Sequence, residues 1–157
     1  MHSTVNTTTI SWVTPHIYFF AAYYASSFMC GIGAIFNSEH IKKDSLKLVT
    51  GLAHRGPDSC GIGFSNGRDV TIVTTYGGVD ALRKRVSETD LVADRCICNT
   101  RFSTTGESTL DNAQPVRAGH VSVSHNGNLL NFEYLRDKYS GTHMFTTGID
   151  SEVLAVQ

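Results

Sequence analysis

Residues that could carry out chemistry are concentrated in four short segments of the 157-residue chain. A thiol is a nucleophile, a planar guanidinium binds carboxylates, and an Asn-Gly pair offers amide donors to a developing negative charge. The segments are Met29-Cys30-Gly31-Ile32, His54-Arg55-Gly56-Pro57-Asp58-Ser59, Thr100-Arg101-Phe102-Ser103-Thr104 and Ser124-His125-Asn126-Gly127-Asn128. Together these groups suit nucleophilic catalysis by a cysteine.

The order of the four segments resembles that of a known enzyme family. Together with Asn112-Ala113-Gln114-Pro115 and Asp150-Ser151-Glu152, they are similar to motifs of the class II glutamine amidotransferases, which belong to the N-terminal nucleophile hydrolases. The resemblance covers most of residues 30–157. It implies that the chain hydrolyses glutamine to glutamate and ammonia.

Cys30 is the nucleophile that this resemblance implies. A cysteine at a chain terminus has a base beside it, because its α-amine has a pKa of about 7.7 to 8 and is substantially neutral near pH 7. The thiolate would attack the side-chain amide of glutamine, expel ammonia and leave a glutamyl thioester for water to hydrolyse. This mechanism requires that residues 1–29 are removed, and it requires no metal.

Two charged residues are expected to bind the substrate. The resemblance assigns Arg101 to the α-carboxylate of glutamine, which a guanidinium binds through two parallel hydrogen bonds. Asp150 is the complementary candidate for the α-ammonium group. Asp150 is also a good helix cap, and both roles are compatible.

Asn126 and Gly127 are expected to stabilise the oxyanion of the tetrahedral intermediate, through a side-chain amide and a main-chain N–H. The alternative is a type I′ hairpin turn, for which Asn-Gly is the strongest short signal. Arg55 and Gly56 are expected to support the nucleophile from a neighbouring loop. Relatives often carry His at the position of Asn99, so the resemblance assigns no catalytic role to this residue.

The elements that must position these residues are predicted from hydrophobic spacing. A helix is expected over residues 41–53, because Ile41, Ser45, Leu48, Val49 and Leu52 recur at helical intervals. Strands are expected at residues 30–36, 61–64, 70–75, 95–100 and 120–124.

Two further helices are expected in the last third of the chain. Asn131 would cap a helix that carries Leu135, and another would begin at Asp150 or Ser151 and run to Gln157. The resemblance implies an α+β fold, a four-layer αββα sandwich of the N-terminal nucleophile hydrolase type, here C-terminally incomplete. Residues 1–29 are interpreted as an extension or propeptide, either removed or the result of a start assigned too early. Residues 30–157 are interpreted as a partial glutamine amidotransferase type 2 domain.

Composition excludes several other classes. The chain is 41% hydrophobic and 17% charged with a net charge of −1, so it has no basic footprint for nucleic acid. No stretch is suited to spanning a membrane, and the four cysteines indicate a reduced, cytoplasmic setting. Cys96 and Cys98 are better interpreted as alternating strand residues than as zinc ligands.

Within the family, the motifs look most like those of the amidophosphoribosyltransferases of purine biosynthesis. The expected partners are glutamine and an acceptor synthase domain missing from this chain, with a homo-oligomer in the full-length enzyme. No cofactor is expected in this domain, and Mg²⁺ is expected for a missing phosphoribosyltransferase domain. The alternatives are the glutaminase domain of a glucosamine-6-phosphate synthase, a glutamate synthase or an asparagine synthetase, or an inactive fragment.

Overall fold

The computed structural model describes residues 30–56, 58–102 and 109–156. The predicted extension, residues 1–29, and the last residue, Gln157, lie outside the described residues, as do Pro57 and residues 103–108. Among the residues described, no helix is both long enough and apolar enough to cross a membrane.

Four antiparallel strands form the larger sheet. They are β1 (Gly31–Ile35), β2 (Ser59–Ser65), β3 (Val70–Tyr76) and β4 (Arg95–Arg101), arranged in the order β1-β4-β2-β3. The central strand β4 pairs with both β1 and β2, so that Thr100 lies between Gly31 and Cys60. The start of β1, immediately after Cys30, is therefore beside the end of β4.

Helices α1 (Ile41–Leu52) and α2 (Val79–Glu88) cover one face of this sheet. The residues buried on α1 are those predicted from their spacing, namely Ile41, Ser45, Leu48, Val49 and Leu52. Complete burial of one such aliphatic side chain contributes about 1.5–3 kcal/mol. This stripe fixes α1 against the sheet and, with the buried strand residues, forms the core.

The two faces of β4 are turned towards different layers of the fold. Cys96 and Cys98 are buried on the helix-covered side, where the Cys98 thiol contacts the carbonyl of Ser45, and the Thr100 hydroxyl donates to Leu52 O at 2.9 Å. The interpretation of the two cysteines as strand residues is confirmed. Because successive side chains alternate along a strand, Asn99 and Arg101 point to the opposite face.

A second, two-stranded sheet packs on that opposite face. It consists of β5 (Val116–Ala118) and β6 (Val121–Val123). Glycines on β2 allow the close approach, since a Cβ at Gly63 would lie 2.8 Å from Ser122 Oγ and one at Gly61 would collide with the carbonyl oxygen of Gln114.

Helices α3 (Phe132–Tyr139) and α4 (Asp150–Val156) complete the outer layer. Helix α4 packs against β5 and β6, and α3 packs against α4. The described residues therefore form helix, sheet, sheet and helix layers, and the predicted αββα arrangement is confirmed.

Three local features differ from expectation. The sequence analysis did not predict α2, whose buried residues are only Leu82 and Val86, nor the three-residue strand β5. Helix α3 begins after Asn131 as expected, but the Asn131 side chain makes no capping hydrogen bond. Helix α2 has few apolar residues to mark it in the sequence, because most of its surface is polar and exposed.

Candidate active site

A cleft of about 130 Å³ lies where β1 begins and β4 ends. It is lined by all five residues predicted to act on substrate, which come from four separate parts of the chain: Cys30, Arg101, Asn126, Gly127 and Asp150. The loop after β6 and the first turn of α4 form its other wall. The fold therefore brings together the nucleophile, the two charged groups and the amide donors.

Cys30 lies half-buried at the base of this cleft, directly before β1. Its thiol donates a long hydrogen bond to Phe102 O, with Sγ and O 3.5 Å apart. Burial raises the pKa of the thiol, while the Phe102 main chain and the positive charge of Arg101 oppose this rise. The net pKa of the thiol is raised, so this free, partly exposed cysteine requires a nearby base to act as a nucleophile.

Arg101 is the last residue of β4, and only 3% of it is exposed. Burial lowers the pKa of its guanidinium, and the neighbouring Cys30, Asp58 and Asp150 oppose that effect. The guanidinium cation thus lies in the cleft among groups that carry a negative charge when they are deprotonated. This position is compatible with the predicted binding of a substrate carboxylate.

Asp150 is the first residue of α4 and also lines the cleft, whereas its role as a helix cap stays a prediction. Its Oδ2 accepts a hydrogen bond from the main-chain N–H of Leu129 at 2.7 Å. Its Oδ1 lies 3.5 Å from His125 Nδ1. The carboxylate is therefore tied to the loop that carries Asn126 and Gly127.

The Asn126-Gly127 pair is not a hairpin turn. A type I′ turn requires positive φ at both residues, and among the described residues neither Asn126 nor Gly127 has one. The loop also leads to helix α3 and not to a second strand. The hairpin alternative is wrong. Both residues line the cleft. The His125 ring lies beside them, and its Nε2 would be 2.9 Å from a Cβ at Gly127.

Arg55 and Gly56 lie behind the cleft and do not line it. A Cβ at Gly56 would lie 2.6 Å from Arg101 O and 2.8 Å from Phe102 N, so this glycine packs directly on that peptide. Phe102 O in turn accepts from the Cys30 thiol. Arg55 ends a short 3-10 turn and lies beside β1, close to Gly31. Their role as supporting residues stays a prediction.

Several residues of the site had no assigned role in the sequence. Gln114, His125, Phe102 and Ile149 line the cleft, and the first three belong to motifs already noted. Asn99 is fully buried but does not line the cleft, and within the described part its side-chain amide has no hydrogen-bond partner. Whether a residue lines the cleft depends on contacts between residues that are far apart in the sequence, so residue type alone does not predict it.

Glu152 fixes the segment that leads into α4. It is 1% exposed, and its carboxylate accepts hydrogen bonds from the main-chain N–H groups and hydroxyls of Thr146 and Thr147, with His143 Nε2 at 3.3 Å. These donors outweigh the effect of burial, which by itself raises the pKa, and the pKa of Glu152 is lowered. A charged, fully hydrogen-bonded carboxylate thus stands two residues after Asp150.

Across residues 30–56, 58–102 and 109–156, no three His, Cys, Asp or Glu side chains are grouped closely enough to hold a metal ion. The groups that do converge are a thiol, a guanidinium, a carboxylate and amide donors. They can bind a zwitterionic amino acid and attack a carbonyl carbon at its side chain.

Comparison with known proteins gives two groups of relatives. No family model matches the chain. An amidophosphoribosyltransferase of Methanocaldococcus jannaschii is 34% identical over 134 residues, which cover 81% of this chain and 28% of that protein. A glutamine–fructose-6-phosphate aminotransferase (isomerizing) of Bradyrhizobium diazoefficiens is 34% identical over 128 residues, covering 80% of this chain and 21% of that protein. The chain thus spans less than a third of the length of these curated relatives.

Solved structures agree with the sequence relatives. The glutamine phosphoribosylpyrophosphate amidotransferase from B. subtilis, complexed with ADP and GMP, has a TM-score of 0.63 and 25% identity over 81% of this chain and 28% of its own. A structure described as the allosteric regulatory enzyme of purine biosynthesis has a TM-score of 0.65 and 26% identity, over 82% of this chain and 28% of its own.

Proposed function

The chain belongs to the class II glutamine amidotransferases, and on that basis we propose that its cleft hydrolyses glutamine through a thioester on Cys30. The observation that carries this proposal is the convergence of Cys30, Arg101, Asp150 and the Asn126-Gly127 pair in one small cleft.

The charges of the cleft match those of the substrate. Arg101 pairs with the α-carboxylate of glutamine, and Asp150 pairs with its α-ammonium group. Recognition of both groups selects a free amino acid over a peptide, whose main-chain groups are uncharged amides. An N-terminal nucleophile peptidase is accordingly the weaker alternative.

The chemical steps follow from the groups at the other end of the bound glutamine. The Cys30 thiol loses its proton to its own α-amine, and the thiolate forms a bond to the side-chain amide carbon. Asn126 and Gly127 donate hydrogen bonds to the resulting oxyanion. The carbon–nitrogen bond then breaks, and the amide nitrogen takes the proton from the α-amine and leaves as ammonia. Water then hydrolyses the thioester, which releases glutamate and restores the Cys30 thiol.

We also propose that the ammonia is used for phosphoribosylamine formation in purine biosynthesis. The Arg101-Phe102-Ser103-Thr104 and Asn112-Ala113-Gln114-Pro115 motifs support this acceptor, as do the purine enzymes among the similar structures. The equal identity to a fructose-6-phosphate aminotransferase supports the alternative acceptor, a sugar phosphate. The Mg²⁺ expected for phosphoribosyl transfer would belong to an acceptor domain. The coding region downstream of Gln157 tests the choice, since a phosphoribosyltransferase domain supports it and a sugar isomerase domain contradicts it.

The glutaminase activity is tested with a cysteine pair. We expect Cys30→Ala to abolish release of glutamate from glutamine, because Cys30 is the one cysteine among the described residues that lines the cleft. Cys60→Ala is the matched control, since Cys60 is a buried free cysteine of β2 away from the cleft, and it should retain activity. Undiminished turnover in Cys30→Ala would contradict the mechanism.

A further inference from the structure

The Asn112-Ala113-Gln114-Pro115 segment is part of the family resemblance, but the proposed chemistry gives it no role. It lies immediately before β5, and both Asn112 and Gln114 are polar residues that are nearly fully buried, at 7% and 5% exposure. Buried side-chain amides need hydrogen-bond partners, and the identity of those partners shows what the segment does.

The Gln114 side chain binds the loop that carries the oxyanion donors. Its Oε1 accepts a hydrogen bond from the main-chain N–H of His125 at 2.6 Å. His125 directly precedes Asn126 and Gly127. The main chain of Gln114 is itself fixed, because its carbonyl packs on β2 at Gly61, where even a Cβ would collide with it. Gln114 thus connects the donor loop to the central sheet.

The Asn112 side chain binds the other wall of the cleft. Its Oδ1 accepts a hydrogen bond from the main-chain N–H of Gly148 at 2.9 Å. Gly148 is two residues before Asp150, and the intervening Ile149 is buried and lines the cleft. Asn112 therefore fixes the main chain at the point where it enters α4 and sets the position of the Asp150 carboxylate.

We propose that Asn112 and Gln114 are positioning residues with separate effects, Gln114 on the oxyanion donors and Asn112 on the carboxylate that binds the substrate ammonium group. This inference rests on the proposed function. The oxyanion exists only along the reaction path, so displacement of its donors should lower kcat. The ammonium group is bound before and during the reaction, so displacement of Asp150 should raise KM.

Steady-state glutaminase kinetics of two shape-conserving variants test the division. In Gln114→Met, which removes the acceptor, we expect kcat to fall by roughly tenfold to a hundredfold, with KM changed by less than about threefold. In Asn112→Leu we expect KM to rise by about fivefold or more, with a smaller change in kcat.

Conservative variants separate positioning from general stability. Gln114→Glu and Asn112→Asp keep the accepting oxygen. We therefore expect Gln114→Glu to recover most of kcat, with any repulsion of the substrate carboxylate affecting KM, and Asn112→Asp to recover most of the affinity. The inference would be overturned if kcat fell and KM rose by the same factor in all four variants, in proportion to a lower midpoint of unfolding.

Amide hydrogen exchange gives a readout that is independent of turnover. The amide of His125 should lose protection only in Gln114→Met, and that of Gly148 only in Asn112→Leu. Loss of protection at both amides in either variant would contradict separate anchoring. If the unmodified protein releases no glutamate, the proposed function and the kinetic division both fail, whereas selective exchange still tests the two hydrogen bonds.

Discussion

At the scale of single residues, the reactivity of Cys30 depends on opposing effects on its pKa. Burial raises the pKa of the thiol, and the positive charge of Arg101 lowers it. Because only the thiolate is nucleophilic, the fraction of active enzyme should increase as pH rises towards this pKa. Arg101 consequently has two effects, one on the substrate carboxylate and one on the nucleophile.

Replacement of Arg101 tests both effects. We expect Arg101→Ala to raise the KM for glutamine by roughly tenfold to a hundredfold, the range for the loss of a charge-assisted pair of hydrogen bonds. Alkylation of Cys30 by iodoacetamide at pH 7 should also become slower, because the pKa of the thiol rises.

The matched control is Arg95→Ala. Arg95 lies at the opposite end of β4 and pairs with Asp94 at the surface, so both measurements should be unchanged. An unchanged KM in Arg101→Ala would show that the substrate carboxylate is bound elsewhere.

At the scale of elements, the junction between the turn after α1 and the end of β4 depends on a close main-chain contact. Gly56 has a φ of −155°, an extended conformation that any residue adopts. Its requirement for glycine comes instead from the Arg101–Phe102 peptide that packs on it. The same peptide carries the carbonyl that contacts the Cys30 thiol.

We therefore expect Gly56→Ala to lower the free energy of unfolding by about 1–3 kcal/mol, because the added methyl group must displace main-chain atoms. Glutaminase activity should fall with it. The control is Gly51→Ala. Gly51 lies within helix α1, and a Cβ there would have no neighbouring atom within 4 Å. The free energy of unfolding should therefore rise by about 0.5–1 kcal/mol. Urea denaturation measures both, and equal stability of the two variants would contradict the contact.

The entry into α4 depends on the Glu152 carboxylate. Its folded pKa lies below the unfolded value, so its contribution to stability is present above the unfolded pKa of about 4.3 and is lost as pH falls through the folded pKa. Glu152→Gln should lower the free energy of unfolding at pH 7 by about 1–3 kcal/mol.

The difference from the unmodified protein should become smaller as pH falls below about 4.3, as the carboxylate is protonated. Glu133→Gln serves as the control, because Glu133 is exposed on α3 and its replacement should change stability little at either pH. A difference that is the same at pH 7 and at low pH would show that the charge of Glu152 is unimportant.

At the scale of the whole molecule, the cleft is shared between the two sheet layers. The larger sheet supplies Cys30 and Arg101, and the layers on its other face supply Asn126, Gly127 and Asp150. Neither layer alone carries a complete set of groups. Close packing at Gly61 and Gly63 is what brings the two sets together.

The proposed mechanism also makes a prediction about the complete chain. A free α-amine on Cys30 requires cleavage before this residue, so we expect active protein to begin at Cys30. Intact-mass measurement of a glutaminase-active sample should give the mass of a chain without residues 1–29. A sample that is fully active with residues 1–29 retained would exclude the α-amine of Cys30 as the base.

The sequence by itself determined the features that depend on local pattern. The buried face of α1 followed from helical spacing, and the inward Cys96 and Cys98 of β4 followed from strand alternation. The five residues predicted for the site came from ordered motifs, and all five line the cleft, while their individual roles stay predictions. In each case the signal is carried by residues close together in the chain or by an ordered set of motifs.

Only the tertiary structure decided how those residues are supported. Gln114 binds a residue 11 positions away and Asn112 one 36 positions away, and no local spacing encodes either pairing. The same applies to the rejection of a hairpin turn at Asn126-Gly127 and to the position of Gly56 behind the cleft. The physical reason is that a hydrogen-bond partner or a packing neighbour is set by the approach of the two sheets, which brings distant segments into contact.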